Sequence, residues 1–415
     1  MDRRLPQISP THEISGRYCS ETTYAATRRP IDSAFTLTPD AYRLQEFYEA
    51  ESQQVFGKGW VCVGYTSHLR QPGDKLVATV SGQPILLTCD KQRAIHAFYN
   101  VCRHRGSMLV EKNDCSNVIR CPYHSWGYGL DGKLLGAPYF ADNEALADTA
   151  ASVVREMKSF CKDDFGLLPL RVETWGCLVF VNLDDSARPL SAWLGDLPTR
   201  LKGYPLDKFQ LHQRKTFEVN ANWKLVAENF MEYYHLPWVH PELNTVSTLV
   251  NHQRWQGPGM YTGMCTHPLT RADLPIDPGL LPNIPGISEH DSKTAYWVLI
   301  APNVALFLLP HHLFTLIINP DGVGRTIEYA DLLVHPATLE APGAEASLDA
   351  IFRFWDLVNQ QDIGAVERVQ RGIQTKRYQG GRMCFKFEES IHRFQNIIID
   401  LMTGNERTPP GDDCQ

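Results

Sequence analysis

Two sets of side chains in this sequence have the types and spacing of metal sites. The first is Cys102-Arg103-His104, followed after 16 intervening residues by Cys121-Pro122-Tyr123-His124. Two thiolates and two imidazoles on two short loops suit a tetrahedral zinc, or a two-iron cluster in which two histidines replace two cysteines. A zinc ribbon usually uses paired Cys-x-x-Cys knuckles or a helix-borne His pair and has no need of Cys-x-His. The second set lies in the run from Asn222 to Leu243. Glu232 and His235 are three apart and share a face of the helix predicted there, and Pro237 is expected to stop that helix and let His240 turn back toward His235. Two imidazoles need a carboxylate to complete a facial triad, which leaves positions on ferrous iron for dioxygen and substrate. Asp362 is the candidate. In a helix predicted over 346–374, Leu348, Ile351, Phe352, Trp355, Val366 and Val369 form an apolar stripe, and Asp362 falls on it, where a carboxylate requires a partner. The competing reading is a buried salt bridge on that helix. Asp356 and Glu367 lie off the stripe and read as solvated.

The elements that position these residues follow from periodicity. A helix is expected from Thr38 (N-cap), Pro39 and Asp40, with Leu44, Phe47, Tyr48 and Val55 on its apolar face and an end at Gly57. Short β-rich runs follow at Trp60–Tyr65, Leu76–Val80, Ile85–Thr88, Ile95–Tyr99 and Leu178–Leu183, and both Cys/His loops fall between such runs. Gly106, Gly127 and Gly129 suit loops that present backbone N–H groups to a metal cluster. Beyond residue 212, strands at Val298–Ile300, Ala305–Leu309, Phe314–Ile318 and Thr326–Val334 alternate with longer helices. This predicts an α+β chain: a small all-β domain over 59–175, and a larger domain over 176–415 with an antiparallel sheet curved around a pocket and covered by helices. Residues 1–58 read as an extension and a helix packed on that larger domain.

At 415 residues the chain exceeds one typical core, and its 43% hydrophobic and 21% charged content is that of a globular enzyme. A net charge of −7 with dispersed Lys and Arg lacks the basic stripe that binds nucleic acid. No apolar run is long enough to cross a bilayer, and Met1-Asp2-Arg3-Arg4 is not followed by the apolar stretch of a secretory signal, so the cytoplasm is expected. The 11 cysteines show no regular framework outside the two loops, which fits metal thiolates and scattered core thiols. Cys115, between the loops, reads as a loop thiol open to oxidation.

Read in full, Cys102-Arg103-His104-Arg105-Gly106-Ser107 and Cys121-Pro122-Tyr123-His124-Ser125-Trp126 resemble the paired loops of a Rieske domain. Respiratory members carry an extra cysteine in each loop, and here Ser107 and Tyr123 stand in those places. Adding Asn222-Trp223-Lys224, Glu228-Asn229, Glu232-x-x-His235-x-x-x-x-His240 and Gln361-Asp362 before Val369-Gln370-Arg371-Gly372, nearly the whole chain resembles the α subunit of Rieske non-haem iron oxygenases. The resemblance implies a [2Fe-2S] cluster on Cys102, His104, Cys121 and His124 and a mononuclear Fe(II) on His235, His240 and Asp362. It implies that Glu232 bridges the cluster ligand His124 of one subunit to His235 of the next in a homotrimer. Asn229, one turn earlier, is expected to orient that bridge; the bland readings are a helix-surface carboxylate and a plain helix residue.

The resemblance further implies O2 as co-substrate. Electrons would come from NAD(P)H through a flavin-containing reductase, with or without a ferredoxin, since no Gly-rich dinucleotide turn is present. Glu232 and the run Glu228 to Leu243 are similar to oxygenases acting on choline, glycine betaine and proline betaine, which implies hydroxylation or N-demethylation of a quaternary ammonium compound. Tyr234, Trp238, Trp255, Tyr261 and Trp297 are available as a cation cage. Hydroxylation of an aromatic ring or aryl acid is the alternative, and an electron-transfer protein without oxygen chemistry is the reading from another class.

Overall fold

The computed structural model describes residues 16–140, 160–241, 243, 251–269 and 281–411. Two sheets organise the chain. The first has the order β1-β10-β9-β4-β3-β2-β5, with β1 Val61–Tyr65, β2 Asp74–Val80, β3 Gln83–Cys89, β4 Ile95–Tyr99, β5 Asp114–Cys115, β9 Pro169–Trp175 and β10 Leu178–Asn182. Beside it, β6 Ile119–Arg120, β7 Gly127–Tyr128 and β8 Leu134–Gly136 form a small three-stranded sheet that carries the second Cys/His loop. The larger sheet has the order β11-β17-β16-β15-β14-β13-β12, with β11 Gln210–Val219, β12 His252–Arg254, β13 Tyr261–Thr266, β14 Ala295–Ile300, β15 Val304–Leu308, β16 Leu313–Pro320 and β17 Thr326–Val334. Every pairing within it is antiparallel.

The strands of the larger sheet read as continuous apolar runs because both faces are covered. Ala295, Trp297, Leu299, Ala305 and Phe307 pack with the helices, whereas Tyr296, Val298, Ile300, Val304 and Leu306 pack with Trp60, Cys62 and Phe180 of the smaller sheet's end. That second contact is pinned by Asn303. Its side chain accepts from the Cys62 N–H and donates to the Cys62 carbonyl, both at 2.9 Å, as a neighbouring strand does.

The helix Ala344–Ile373 covers the first face. Its buried positions Leu348, Ile351, Phe352, Trp355, Val358 and Val366 keep the predicted stripe, and each large apolar side chain so buried contributes roughly 1.5–3 kcal/mol. Val369 does not belong to the stripe. It is 46% exposed, and Gln370 takes the inward position and bonds the Tyr42 carbonyl. Asp356 and Glu367 are not simply solvated either: Lys215 binds the first at 2.6 Å, and the second accepts from Asn220 N and Nδ2.

The N-terminal helix predicted as one rod is three pieces. Asp40–Arg43 ends where Leu44 turns extended (φ −101°, ψ 133°), Gln45–Glu51 restarts, and a wider turn runs over Ser52–Phe56. The restart sets Phe47, Ala50 and Glu51 against the core. Glu51 meets Lys224 there: Nζ lies 2.7 Å from Oε1, Trp223 Nε1 donates to Oε2, and neither charged residue is more than 1% exposed. Burial favours the neutral form of each, and their contact opposes it. Removing one partner leaves the other charge buried alone. Lys224→Met is expected to destabilise the larger domain by about 3–5 kcal/mol, measured as a fall in the urea midpoint, with much of the loss recovered in the double variant Lys224→Met, Glu51→Gln.

Candidate metal centres and pocket

The helix expected to carry the second ligand set is shorter than predicted. Asn222 caps it, its side chain accepting from Lys224 N, and it runs only from Trp223 to Phe230. Glu232 and His235 therefore sit on a turn and not on a helical face. Pro237 does not stop a helix but lies in the first turn of a new one, Leu236–Val239, where its missing N–H costs nothing. His235 precedes that short helix and His240 follows it. The rings end 5.0 Å apart between centroids.

Asp362 comes to the same point from the long helix, 122 residues from His240 in sequence. Its Oδ1 lies 2.8 Å from His240 Nε2 and 3.4 Å from His235 Nε2. Both imidazoles are oriented by their other nitrogen. His240 Nδ1–H donates to Gln361 Oε1 at 2.7 Å, and His235 Nδ1–H donates to Glu232 Oε1, whose second oxygen accepts from the backbone N–H groups of Tyr234 and His235. In those tautomers two Nε2 lone pairs face one carboxylate, an arrangement that demands a cation between them. Without a metal, a proton takes the place of that cation. Burial pushes His235 down, but Asp362 and Glu232 outweigh it and carry it up to about 10. Burial likewise pushes Asp362 up, and the two imidazoles hold it below its ordinary value. Two imidazoles and a carboxylate within one coordination radius, held from behind by Glu232 and Gln361, fit a mononuclear iron with open positions. Gln361 carries no signal in the sequence beyond its adjacency to Asp362.

The triad opens on a pocket of about 60 Å³, several times the roughly 10–15 Å³ a single water needs. Phe230, Trp297, Phe307, Phe314 and Trp355 wall it, with successive ring centroids 4.6–5.9 Å apart. Of the five aromatics expected in a cage, only Trp297 is in this wall. Trp255 and Tyr261 pack on the opposite face of the sheet, and Tyr234 and Trp238 are exposed. The sequence reading missed Phe230, Phe307 and Trp355 because apolar side chains lining a pocket carry the same signal as core. Asn229 lines the pocket, while the bonds of Glu232 run to His235 and the backbone.

The first ligand set is also brought together. Cys102 and Cys121 are buried, the rings of His104 and His124 lie 4.7 Å apart, and His104 stacks on Trp126 at 4.9 Å. The Nδ1 atoms of both histidines are buried without a hydrogen-bond partner, a costly state for polar nitrogens unless they ligate. Burial pushes the Cys121 thiol up, yet backbone N–H groups of His124 and Tyr123 hold it below its usual value. The glycines shape the loops rather than point N–H groups at a cluster. Gly106, at φ 74°, donates to the Cys102 carbonyl, and Gly129 donates to that of Lys133. Tyr128 OH meets Cys102 Sγ at 3.3 Å. Cys115 is exposed, and no disulfide forms among the described cysteines.

Residues 59–155 match the Rieske [2Fe-2S] domain, and residues 206–404 match the ring hydroxylating alpha subunit (catalytic domain). The chain is 28% identical to the glycine betaine monooxygenase oxygenase subunit of Pseudomonas aeruginosa, over 91% of each chain. It is 28% identical to the carnitine monooxygenase oxygenase subunit of Acinetobacter baumannii, over 88% of this chain and 95% of the relative. In fold it is similar to the quaternary ammonium Rieske monooxygenase CntA solved with L-carnitine, with a TM-score of 0.73 at 24% identity over 93% of this chain and 98% of that one. Naphthalene 1,2-dioxygenase gives the same TM-score at 18% identity, over 93% of this chain and 95% of that one. The cofactors follow: a [2Fe-2S] cluster in the first domain and a mononuclear iron in the second, with dioxygen as co-substrate and electrons from a reductase partner. No helix among the described residues is long and apolar enough to cross a membrane.

Removing the hydrogen bond behind one candidate iron ligand is the sharpest test of the triad. Gln361→Leu is expected to weaken iron binding by about 10- to 100-fold while the cluster's optical spectrum stays unchanged, measured by titrating ferrous iron into metal-stripped protein.

Proposed function

We propose that this chain, which carries the Rieske [2Fe-2S] domain and the ring hydroxylating alpha subunit catalytic domain of a Rieske non-haem iron oxygenase, hydroxylates a quaternary ammonium compound of the choline or betaine type, with N-demethylation as the outcome on an N-methyl group. The observation that carries this reading is the aromatic wall of Phe230, Trp297, Phe307, Phe314 and Trp355 around the pocket that opens on His235, His240 and Asp362. A permanent cation has no proton to donate and is held best by ring faces that exclude water. The relatives named for glycine betaine and carnitine support the same class.

When bound, the cluster on Cys102, His104, Cys121 and His124 supplies stored electrons, and the iron on His235, His240 and Asp362 supplies open positions for dioxygen. The protein's own part is placement. Glu232 and Gln361 fix the imidazole tautomers, and the rings hold the nitrogen so that an attached carbon faces the triad. Dioxygen, two electrons and two protons give the hydroxylated product and water. Hydroxylation of an N-methyl group leaves a carbinolamine whose N–C bond breaks, releasing formaldehyde, the demethylated amine and a proton.

The copies assemble as a head-to-tail homotrimer in which Glu232 faces His124 of a neighbouring copy. Two exposed aromatic side chains on one chain are in keeping with this. Trp238 is 78% exposed beside the candidate iron ligands and Tyr123 is 58% exposed beside the cluster ligands, a pair of unlike surfaces suited to a closed ring. Glu232 has capacity for the contact, since a carboxylate offers about four acceptor sites and its in-chain bonds use three donors. Asn229 lines the same pocket and has a substrate-facing role. The reductase partner is flavin-containing and draws on NAD(P)H.

Reduced, iron-loaded enzyme mixed with oxygen and a panel of choline, betaines and aromatic acids is expected to release formaldehyde or a hydroxylated amine from one of the cations. A hydroxylated ring product instead overturns the substrate class and leaves the metal centres standing. Glu232→Gln is expected to retain both metals and lose about 10- to 100-fold or more in turnover. Full activity in that variant removes the bridging role.

A further inference from the structure

Strand β17 alternates between the two faces of the larger sheet, and the inward positions include Ala330 and Leu332, both in the core beneath the long helix. Glu328 occupies the same face, directly across from Phe217 on β11 and Ile318 on β16. It is 0% exposed. A carboxylate in that place requires a partner, and among the described residues the other two acids at 1% exposure or less have cationic ones: Glu51 has Lys224 and Asp331 has Arg214. Glu328 has only Asn359, whose Nδ2 donates to Oε1 at 2.5 Å. Its Oε2 is buried with no hydrogen-bond partner among the described residues. That oxygen belongs to a side chain lining the aromatic pocket, one helical turn of the facing helix away from Asp362 through Asn359.

We propose that Glu328 is the specificity-determining counter-charge of the pocket, its free oxygen facing the methyl or methylene groups that carry the positive charge of the substrate's quaternary nitrogen while the aromatic rings enclose the rest. This rests on the quaternary ammonium reading above and goes further by naming the residue that tells a cation from a neutral molecule of the same shape. Ring faces attract a cation but also accept an uncharged tert-butyl group, whereas a buried carboxylate discriminates between them by charge. Burial pushes the Glu328 carboxyl up to about 7 without a cation, with Asn359 opposing and the Asp362 charge adding to it. An arriving cation supplies the missing opposite charge, through its C–H surface and not through a donated proton.

The test uses the holoenzyme and three probes: choline, glycine betaine, and 3,3-dimethylbutanol, in which carbon replaces the choline nitrogen. The wild type is expected to bind at least one of the two cations more tightly than the neutral isostere by calorimetry. In Glu328→Gln that cation's affinity falls at least about 30-fold, the low end for stripping one partner from a buried charge pair, while 3,3-dimethylbutanol is unaffected. Iron and cluster contents are expected to match the wild type. Glu328→Leu serves as the second variant. Removing a buried carboxylate without a full set of partners relieves its desolvation cost, so its Tm is expected to equal or exceed that of the wild type while cation preference is lost. Unchanged cation preference in both variants, with or without a lower Tm, assigns Glu328 to the fold and leaves the substrate class intact. A wild type that prefers neither cation to the neutral isostere overturns the substrate reading and this proposal together.

Discussion

The structure depends on one electrostatic meeting, the Asp362 carboxylate set between two imidazole Nε2 atoms. Each element near it can be read as a means of holding that meeting together. The long helix must dock in one rotation only, because a shift of one position would take Asp362 off the buried face, and its stripe of Leu348, Phe352, Trp355 and Val366 locks that rotation against the larger sheet. The short helix Leu236–Val239 sets the separation of His235 and His240, and Pro237 starts it where no donor is wanted. Behind the histidines, Glu232 and Gln361 spend their acceptors on Nδ1–H and so free each inward Nε2 to bind a metal in place of a proton. The buried Glu51–Lys224 pair is the anchor at the far end, tying the N-terminal helices to the helix Trp223–Phe230 from which the ligand turn departs.

The two candidate metal centres solve opposite problems. One must be reached by other proteins and the other must keep water from a reacting substrate. The cluster ligands accordingly sit on loops beside the small sheet β6-β7-β8, with exposed Tyr123 next to them and Arg105 over its ring. The triad instead faces a cavity whose walls are sheet and helix. Both sheets share a core through β1, β10 and the reverse face of the larger sheet, so the two centres are held on one continuous packed body.

Legibility in the sequence followed the range of the interaction responsible. The Cys/His loops, four of the seven strands of the larger sheet (β14 to β17) and the buried stripe of the long helix are set by spacing within a few residues, and the structure places them close to where periodicity does, whereas β11, β12 and β13 were not expected. Three features were not readable, each for a tertiary reason. The helix ahead of His235 ends at Phe230, since the chain must turn there for Glu232 to fold back on His235. The N-terminal helix breaks at Leu44 so that Glu51 reaches Lys224. The pocket wall was hidden in plain apolar residues: nothing in Phe307 or Trp355 distinguishes a side chain that faces a cavity from one that faces core. Polar exceptions on apolar faces were the better guide. Asp362 announced itself that way, and Glu328 carried the same signal two positions from Ala330 in β17.

Charge balance links these exceptions. Asp362 and Glu232 bring two negative charges to a site that a divalent iron neutralises, given both imidazoles neutral. In that state only the pull of the ring faces favours a cation over a neutral guest of the same shape. A third carboxylate at Glu328 changes this, since a single positive guest is then the one that restores neutrality in a low-dielectric space. The position also explains why the fold tolerates the burial. Glu328 lies on β17, hydrogen-bonded on both sides by β11 and β16, and Asn359 holds one oxygen from the helix that carries Asp362. A carboxylate that cannot swing toward solvent meets its desolvation cost in part by taking up a proton, its pKa being pushed up to about 7, and a guest of the right charge takes over that role.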